Sequence, residues 1–134
     1  MVRRTKSPAR KALKSRGRGP VEKEYFADGS LKRAGRFLEG EKHGPWRFYH
    51  RNGTLWAAGT FDRGECTGVW KWYAENRALR QVGRFENGKQ VGLWKRFHGG
   101  TGRLYDVGRY ARGEKTGVWK VYGPQGKLIR TRKY

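Results

Sequence analysis

Few side chains in this chain have the chemistry of catalysis or metal binding. There are three histidines and one cysteine among 134 residues. His50 and His98 lie 48 residues apart, two periods of a 24-residue repeat that runs through the chain. In a strand repeat that is four strand steps, about 19 Å at ~4.8 Å per strand. Zinc ligands each sit about 2 Å from the ion, so the pair cannot share one. His43 stands alone in a turn-like stretch. Cys66 reads as a turn cysteine with no histidine near it in sequence, a plain loop residue rather than a nucleophile. As the one cysteine, it cannot form an intramolecular disulfide, and nothing asks for an oxidising compartment. "HGGTGR" (98–103) lacks the Gly-Lys-Ser/Thr ending of a phosphate loop and reads as an inserted turn. Six of the eleven acids, Glu39, Glu41, Asp62, Glu65, Glu86 and Glu114, fall in one set of turns. Paired carboxylates can do acid–base work, but here a solvated rim is the simpler reading. The expectation is a non-enzymatic protein with no catalytic residue, no metal ligand and no cofactor.

The basic and aromatic residues are more ordered. Tryptophans that follow Gly-x stand at Trp46, Trp70, Trp94 and Trp119, spaced 24, 24 and 25. Tyr25, Tyr49, Tyr73, Phe97 and Tyr122 keep the same step, as do Leu31, Leu55, Leu79, Leu104 and Leu128. A second aromatic column holds Phe37, Phe61, Phe85 and Tyr110. Three glycine columns begin at Gly35, Gly40 and Gly44. The unit reads Y-x-x-[ND]-G-x-L-x-x-x-G-x-[FY]-x-x-G-x-x-x-G-x-W-[KR]-x. Four copies cover 25–121 and a fifth begins at Tyr122.

Self-similarity at this period means stacked units that bury a face against their neighbours. One leucine per unit is too few for a leucine-rich repeat, and 24 residues with this much glycine is wrong for helical repeats. Each unit holds two strand-length stretches, such as "LKRAGRF" (31–37) and "PWRFY" (45–49), separated by turns. Asn52-Gly53 is a strong hairpin signal because both central residues can take φ > 0, and Asp28-Gly29 is its counterpart. The fold class is all-β: an elongated single-layer antiparallel meander of about four and a half hairpins. Residues two apart share a face, so Leu31, Gly35 and Phe37 are expected beside Trp46 and Phe48 on a packed face. The glycines at 35, 59, 83 and 108 would seat the tryptophan rings; the other reading is that they only mark bulges.

These columns resemble the MORN repeat, in the variant common in bacterial proteins and in a family named as antitoxins. The likeness covers 25–134. Arg77 departs from it at a turn glycine and Arg132 at a strand glycine. The resemblance implies a single-sheet meander with a binding or scaffolding role. Repeats of this kind are also associated with anionic lipid.

The face opposite the tryptophans should carry Arg47, Lys71, Lys95 and Lys120, with Arg36, Arg84 and Arg109 on the neighbouring strands. Tyr49, Tyr73, Phe97 and Tyr122 lie on that face too. Cations among aromatics can track phosphates and stack bases; the plainer reading is a solvated face whose lysine stems cover the tyrosines. Arg47, Tyr49, Trp72 and Tyr73 are the first candidate anchors for a protein partner, because Tyr, Trp and Arg dominate binding hot spots. The net charge of +21 draws acidic proteins, nucleic acid or anionic lipid surfaces. An acidic protein partner is favoured, with nucleic acid or an anionic membrane as the alternative; no small-molecule substrate is implied.

The first twenty residues, "MVRRTKSPARKALKSRGRGP", hold eight Lys/Arg and no acid, which leaves +13 on residues 21–134. Residues 1–23 read as a disordered basic tail and 24–134 as the repeat domain. Arg3, Arg4, Lys6, Arg10, Lys11, Lys14, Arg16 and Arg18 are its candidate phosphate contacts. "SRGRGP" resembles an AT-hook core, with Gly19 interrupting the match. No apolar run is long enough to span a membrane and no signal-like segment follows the basic start, so a cytoplasmic protein is expected. The charges of Arg130, Arg132 and Lys133 should discourage edge-to-edge association.

Overall fold

The structure, a computed structural model, describes residues 19–134. The expected tail contacts at Arg3, Arg4, Lys6, Arg10, Lys11, Lys14, Arg16 and Arg18 lie outside the described residues. Ten strands form one sheet in chain order, each antiparallel to the next. They are β1 (Glu22–Tyr25), β2 (Leu31–Leu38), β3 (Glu41–Tyr49), β4 (Leu55–Asp62), β5 (Glu65–Tyr73), β6 (Leu79–Glu86), β7 (Lys89–Phe97), β8 (Leu104–Ala111), β9 (Glu114–Tyr122) and β10 (Leu128–Lys133). This is the single-layer meander that the repeat implies. Among the described residues no helix is long and apolar enough to cross a membrane.

Two kinds of turn alternate. At one rim the hairpins close through two residues with φ near 50° and 85°: Glu39-Gly40, Arg63-Gly64, Asn87-Gly88 and Arg112-Gly113. A two-residue turn with both φ positive has the twist of the flanking strands. At the other rim Asn52-Gly53 does sit in a hairpin, but only Gly53 has positive φ, at 89°. The Asn52 side chain accepts the Thr54 N–H at 3.0 Å, while Gly53 N–H donates to His50 O. Asparagine's value here is its side-chain acceptor, not its tolerance of positive φ. Arg77 holds φ 75° where the repeat elsewhere has glycine, with Asn76 accepting the Ala78 N–H.

Glycine and tryptophan face each other directly. Gly35 pairs with Trp46, Trp46 with Gly59, Trp70 with Gly83 and Trp94 with Gly108. A Cβ on Gly35, Gly59, Gly83 or Gly108 would lie 2.0–2.1 Å from an indole carbon. The rings therefore lie flat on the backbone of their own hairpin, as the seat reading expects. The bulge belongs to a different glycine column: Gly44, Gly68, Gly92 and Gly117, with φ from 69° to 80°. There the register slips, Gly35 opposing Trp46 while Arg36 opposes His43. Each indole N–H bridges the break, donating to the carbonyl of the residue after the seat: Trp46 to Arg36 O at 2.9 Å, Trp70 to Thr60 O at 3.1 Å.

These four tryptophans are only 3–5% exposed, which a one-layer sheet achieves because the second aromatic column flanks them edge-on. Phe61 stands 5.1 Å from Trp70, Phe85 5.2 Å from Trp94 and Tyr110 5.2 Å from Trp119, ring to ring and nearly perpendicular. Such pairs add about 0.5–1.5 kcal/mol beyond the burial itself.

The leucines are not part of this layer. Leu31 opposes Tyr25 and Leu55 opposes Tyr49, because a second bulge at Lys32 and Trp56 shifts the register by one. One extra residue reverses the parity of everything beyond it. Leu31 therefore lies on the face away from Phe37, and the expected Leu31–Gly35–Phe37 set is corrected.

Candidate binding site

The face turned away from the tryptophans is built in rows across the sheet. One row reads Ala34, Arg47, Ala58, Lys71, Val82, Lys95, Val107, Lys120, Thr131, each opposite its neighbour on the next strand. The adjoining row reads Val69, Arg84, then Leu93, Arg109, then Val118, Lys133. The two rows are out of phase. Cations stand on odd strands in the first and on even strands in the second, with small or aliphatic residues between. Like residues in a row are two strands apart, about 10 Å. Arg47, Lys71 and Lys120 are exposed and Lys95 half-buried. The aliphatic members are unusually open: Val69 is 51% exposed, Leu93 44% and Val118 53%. Val69, Val82, Arg84, Leu93 and Lys95 line a shallow hollow of about 230 Å³.

A third row alternates tyrosine and leucine. Tyr49 pairs with Leu55, Tyr73 with Leu79, Phe97 with Leu104 and Tyr122 with Leu128. The four aromatics are half-buried by these neighbours.

The structure thus brings Arg47, Tyr49, Lys71, Tyr73, Lys95, Phe97, Lys120 and Tyr122 onto one face, joined by Arg36, Arg84 and Arg109. Trp72 is not with them. It opposes Ala57 and stands 6.0 Å from Trp70 and 5.8 Å from Trp94, on the tryptophan face. Alternation along β5 already sets Trp72 on the other face from Lys71 and Tyr73, whatever its residue type suggests. Pro45, Val69, Leu93 and Val118 were missed as surface residues. Their signal is the x of each Gly-x-Trp, which lies one residue from a buried ring and so on the other face.

The three histidines have structural partners. His50 Nε2 lies 2.9 Å from Tyr73 O and His98 Nε2 2.7 Å from Tyr122 O, so each ring N–H donates to the next repeat. His43 Nδ1 accepts the Arg63 N–H at 3.1 Å. Cys66 is a strand residue of β5, opposite Phe61, and not in a turn as expected. Burial pushes its thiol pKa up, which lowers its thiolate fraction at neutral pH. Glu39 lies in a turn, and the other five rim acids lie in the first or last position of a strand. Among the described residues no three His, Cys, Asp or Glu stand where they could hold one metal ion.

Ion pairs stand at two places on the tryptophan face. Arg96 grips Asp106 with two bonds, Nε to Oδ1 at 3.0 Å and Nη2 to Oδ2 at 2.6 Å, and Asp106 is 3% exposed. Glu24 accepts from Arg33 at 2.6 Å. That bond, with charge from Arg33 and Lys32, holds the Glu24 carboxyl below its ordinary pKa.

Residues 42–63 match the model of the MORN repeat variant, a stretch that runs from β3 through β4 into the next turn. No curated protein matches this chain. Among solved structures, a chain of a GtfA/B complex bound to UDP and GlcNAc is similar over 69% of this chain at 17% identity, with a TM-score of 0.38. This chain spans 22% of that one's length.

Proposed function

For a chain carrying MORN-variant repeats, we propose a non-enzymatic binding module that holds an acidic protein partner against the basic face of its sheet. The observation that supports this reading is the alternation of exposed Val69, Leu93 and Val118 with Arg84, Arg109 and Lys133. A partner that matches it carries acids at about 10 Å intervals with apolar side chains between them. Positive potential steers such a partner in, and the aliphatic rows reward a dry contact. Sequestering a toxic protein, as the antitoxin-like resemblance implies, is one use of such a face.

Nucleic acid fits less well. Phosphates gain nothing from open valine and leucine, and each aromatic that could stack bases is half-buried opposite a leucine of the next strand. The test uses the full chain and two labelled probes: a peptide alternating Glu with Leu, and a random-sequence DNA duplex. The variant Val69→Ser/Leu93→Ser/Val118→Ser should weaken the peptide about tenfold and leave DNA binding unchanged. Equal loss with both probes, or none with the peptide, would sink the reading. Tight duplex binding with a steep salt slope, lost in Lys71→Gln/Lys95→Gln/Lys120→Gln, would favour nucleic acid.

A further inference from the structure

The repeat columns continue to both edges of the sheet, but there the residues change in a matched way. β1 is a tryptophan-type strand: Glu22 opposes Gly35, as Trp46 opposes Gly59, and Glu24 opposes Arg33, as Phe48 opposes Ala57. β10 is a glycine-type strand: Arg132 opposes Trp119, as Gly59 opposes Trp46, and Arg130 opposes Val121. So the tryptophan column ends in a glutamate at one edge and the seat column ends in an arginine at the other. Of the ten strands, β1 and β10 have a neighbour on one side only, and all their residues are exposed.

Inside the sheet a glycine-type strand is followed by a tryptophan-type strand in a fixed register: Arg33 opposes Phe48, Ala34 opposes Arg47 and Gly35 opposes Trp46. Applied to β10 and a β1 from a second chain, that register sets Arg130 against Glu24, Thr131 against Lys23 and Arg132 against Glu22. Both pairs on the tryptophan face are then Arg–Glu. We propose that copies of this chain join head to tail, β10 of one adding β1 of the next, so that one sheet runs through successive copies.

Three observations carry this. Arg132 cannot seat an indole, since even a Cβ at that column meets the ring at 2.0–2.1 Å in the other repeats. The strand that follows must therefore lack the tryptophan, and β1 does. Second, these columns already accept ion pairs inside the chain. Glu24 holds Arg33 on one side and, in the position of Phe48, has its other side open to Arg130. Arg96 and Asp106 occupy the same two columns with the charges exchanged. Third, like edges repel: β10 against β10 sets arginine near arginine, and β1 against β1 sets glutamate near glutamate. The charges of β10 thus discourage one pairing and select another. A head-to-tail contact of this kind extends into an open assembly rather than closing as a two-fold dimer.

Sedimentation velocity on the full chain tests this. Moderate salt is needed, because chains of +21 repel one another at low salt. The weight-average mass should rise with concentration above the 15.6 kDa monomer. Arg130→Glu/Arg132→Glu and Glu22→Arg/Glu24→Arg should each stay monomeric. An equimolar mixture of the two should assemble again, since every junction between unlike variants regains opposite charges. Glu24→Arg also removes the Arg33 pair, so Glu22→Arg and Arg132→Glu alone form a second, gentler set, with tryptophan emission reporting the fold. A wild-type chain that stays at 15.6 kDa, or a mixture that stays monomeric, overturns the proposal. No binding partner enters this measurement, so its failure leaves the proposed function standing, and the reverse.

Discussion

The two faces of this sheet are made by alternate residues of the same strands, and they spend them differently. On one face Trp46, Trp70, Trp94 and Trp119 are 3–5% exposed; on the other, Val69, Leu93 and Val118 are about half exposed. A β-sheet ordinarily hides one face under a second layer. Here the tryptophans are that layer, lying on glycines of the sheet itself and flanked edge-on by Phe61, Phe85 and Tyr110. The contrast teaches that the core is complete without the opposite face. That face is therefore open to the partner contact proposed for it.

The comparison breaks first at a seat. Gly83→Ala places a Cβ 2.0 Å from Trp94 Cδ2. The ring must lift, and the Trp94 N–H loses its contact with Arg84 O at 3.1 Å. We expect a loss of about 3 kcal/mol, the upper part of the range for forcing atoms into a packed site. Trp94→Ala should cost a similar amount. The double variant should cost far less than the sum, because without the ring the methyl has nothing to strike. Urea unfolding followed by ellipticity measures all three. Simple additivity would mean that the glycine serves the backbone and not the ring.

A smaller break is available where the tryptophan face turns polar. Arg96→Ala leaves the Asp106 carboxylate 3% exposed without its two-bonded partner. Because half of the Arg96 side chain meets solvent, water reaches the site, and the expected cost is about 2 kcal/mol rather than that of a fully buried pair. Arg96→Trp with Asp106→Gln copies the Trp72–Gln81 pair of the preceding repeat. It should restore the wild-type midpoint or exceed it, since apolar packing commonly equals or betters a buried ion pair.

Much of this was legible in the residues. The 24-residue step gave the meander, and Gly35 opposite Trp46 followed from glycine being the one residue that a flat ring can lie on. The basic face followed from counting by two from the tryptophan. What failed has several physical causes. Leu31 and Leu55 sit beyond a bulge, and a bulge has no residue signature strong enough to show that the count has shifted by one. Cys66 reads as a turn residue from its flanking Gly64 and Gly68, yet the two-residue turn is so short that the strand has already resumed at Glu65. Trp72 has the residue type of an anchor, but its parity sets it on the tryptophan face. Arg96 and Asp106 were not found at all: they come together only across strands, ten residues apart, and nothing in either neighbourhood marks them.

The gentlest change sharpens the comparison most. Lys71→Gln/Lys95→Gln/Lys120→Gln removes three cations from one row and keeps most of each side chain. If that face contributes little to the fold, unfolding should shift by no more than about 0.5 kcal/mol. The sign should favour the variant, because like charges spaced across one face of a +21 chain repel in the folded state more than in the unfolded one. The same protein should bind the acidic peptide at least tenfold more weakly. A loss above about 1 kcal/mol would instead mean that the lysine stems shield the Tyr73, Phe97 and Tyr122 row from water. In that case the two faces share the work of stability, and the separation of core from recognition drawn from their exposures fails.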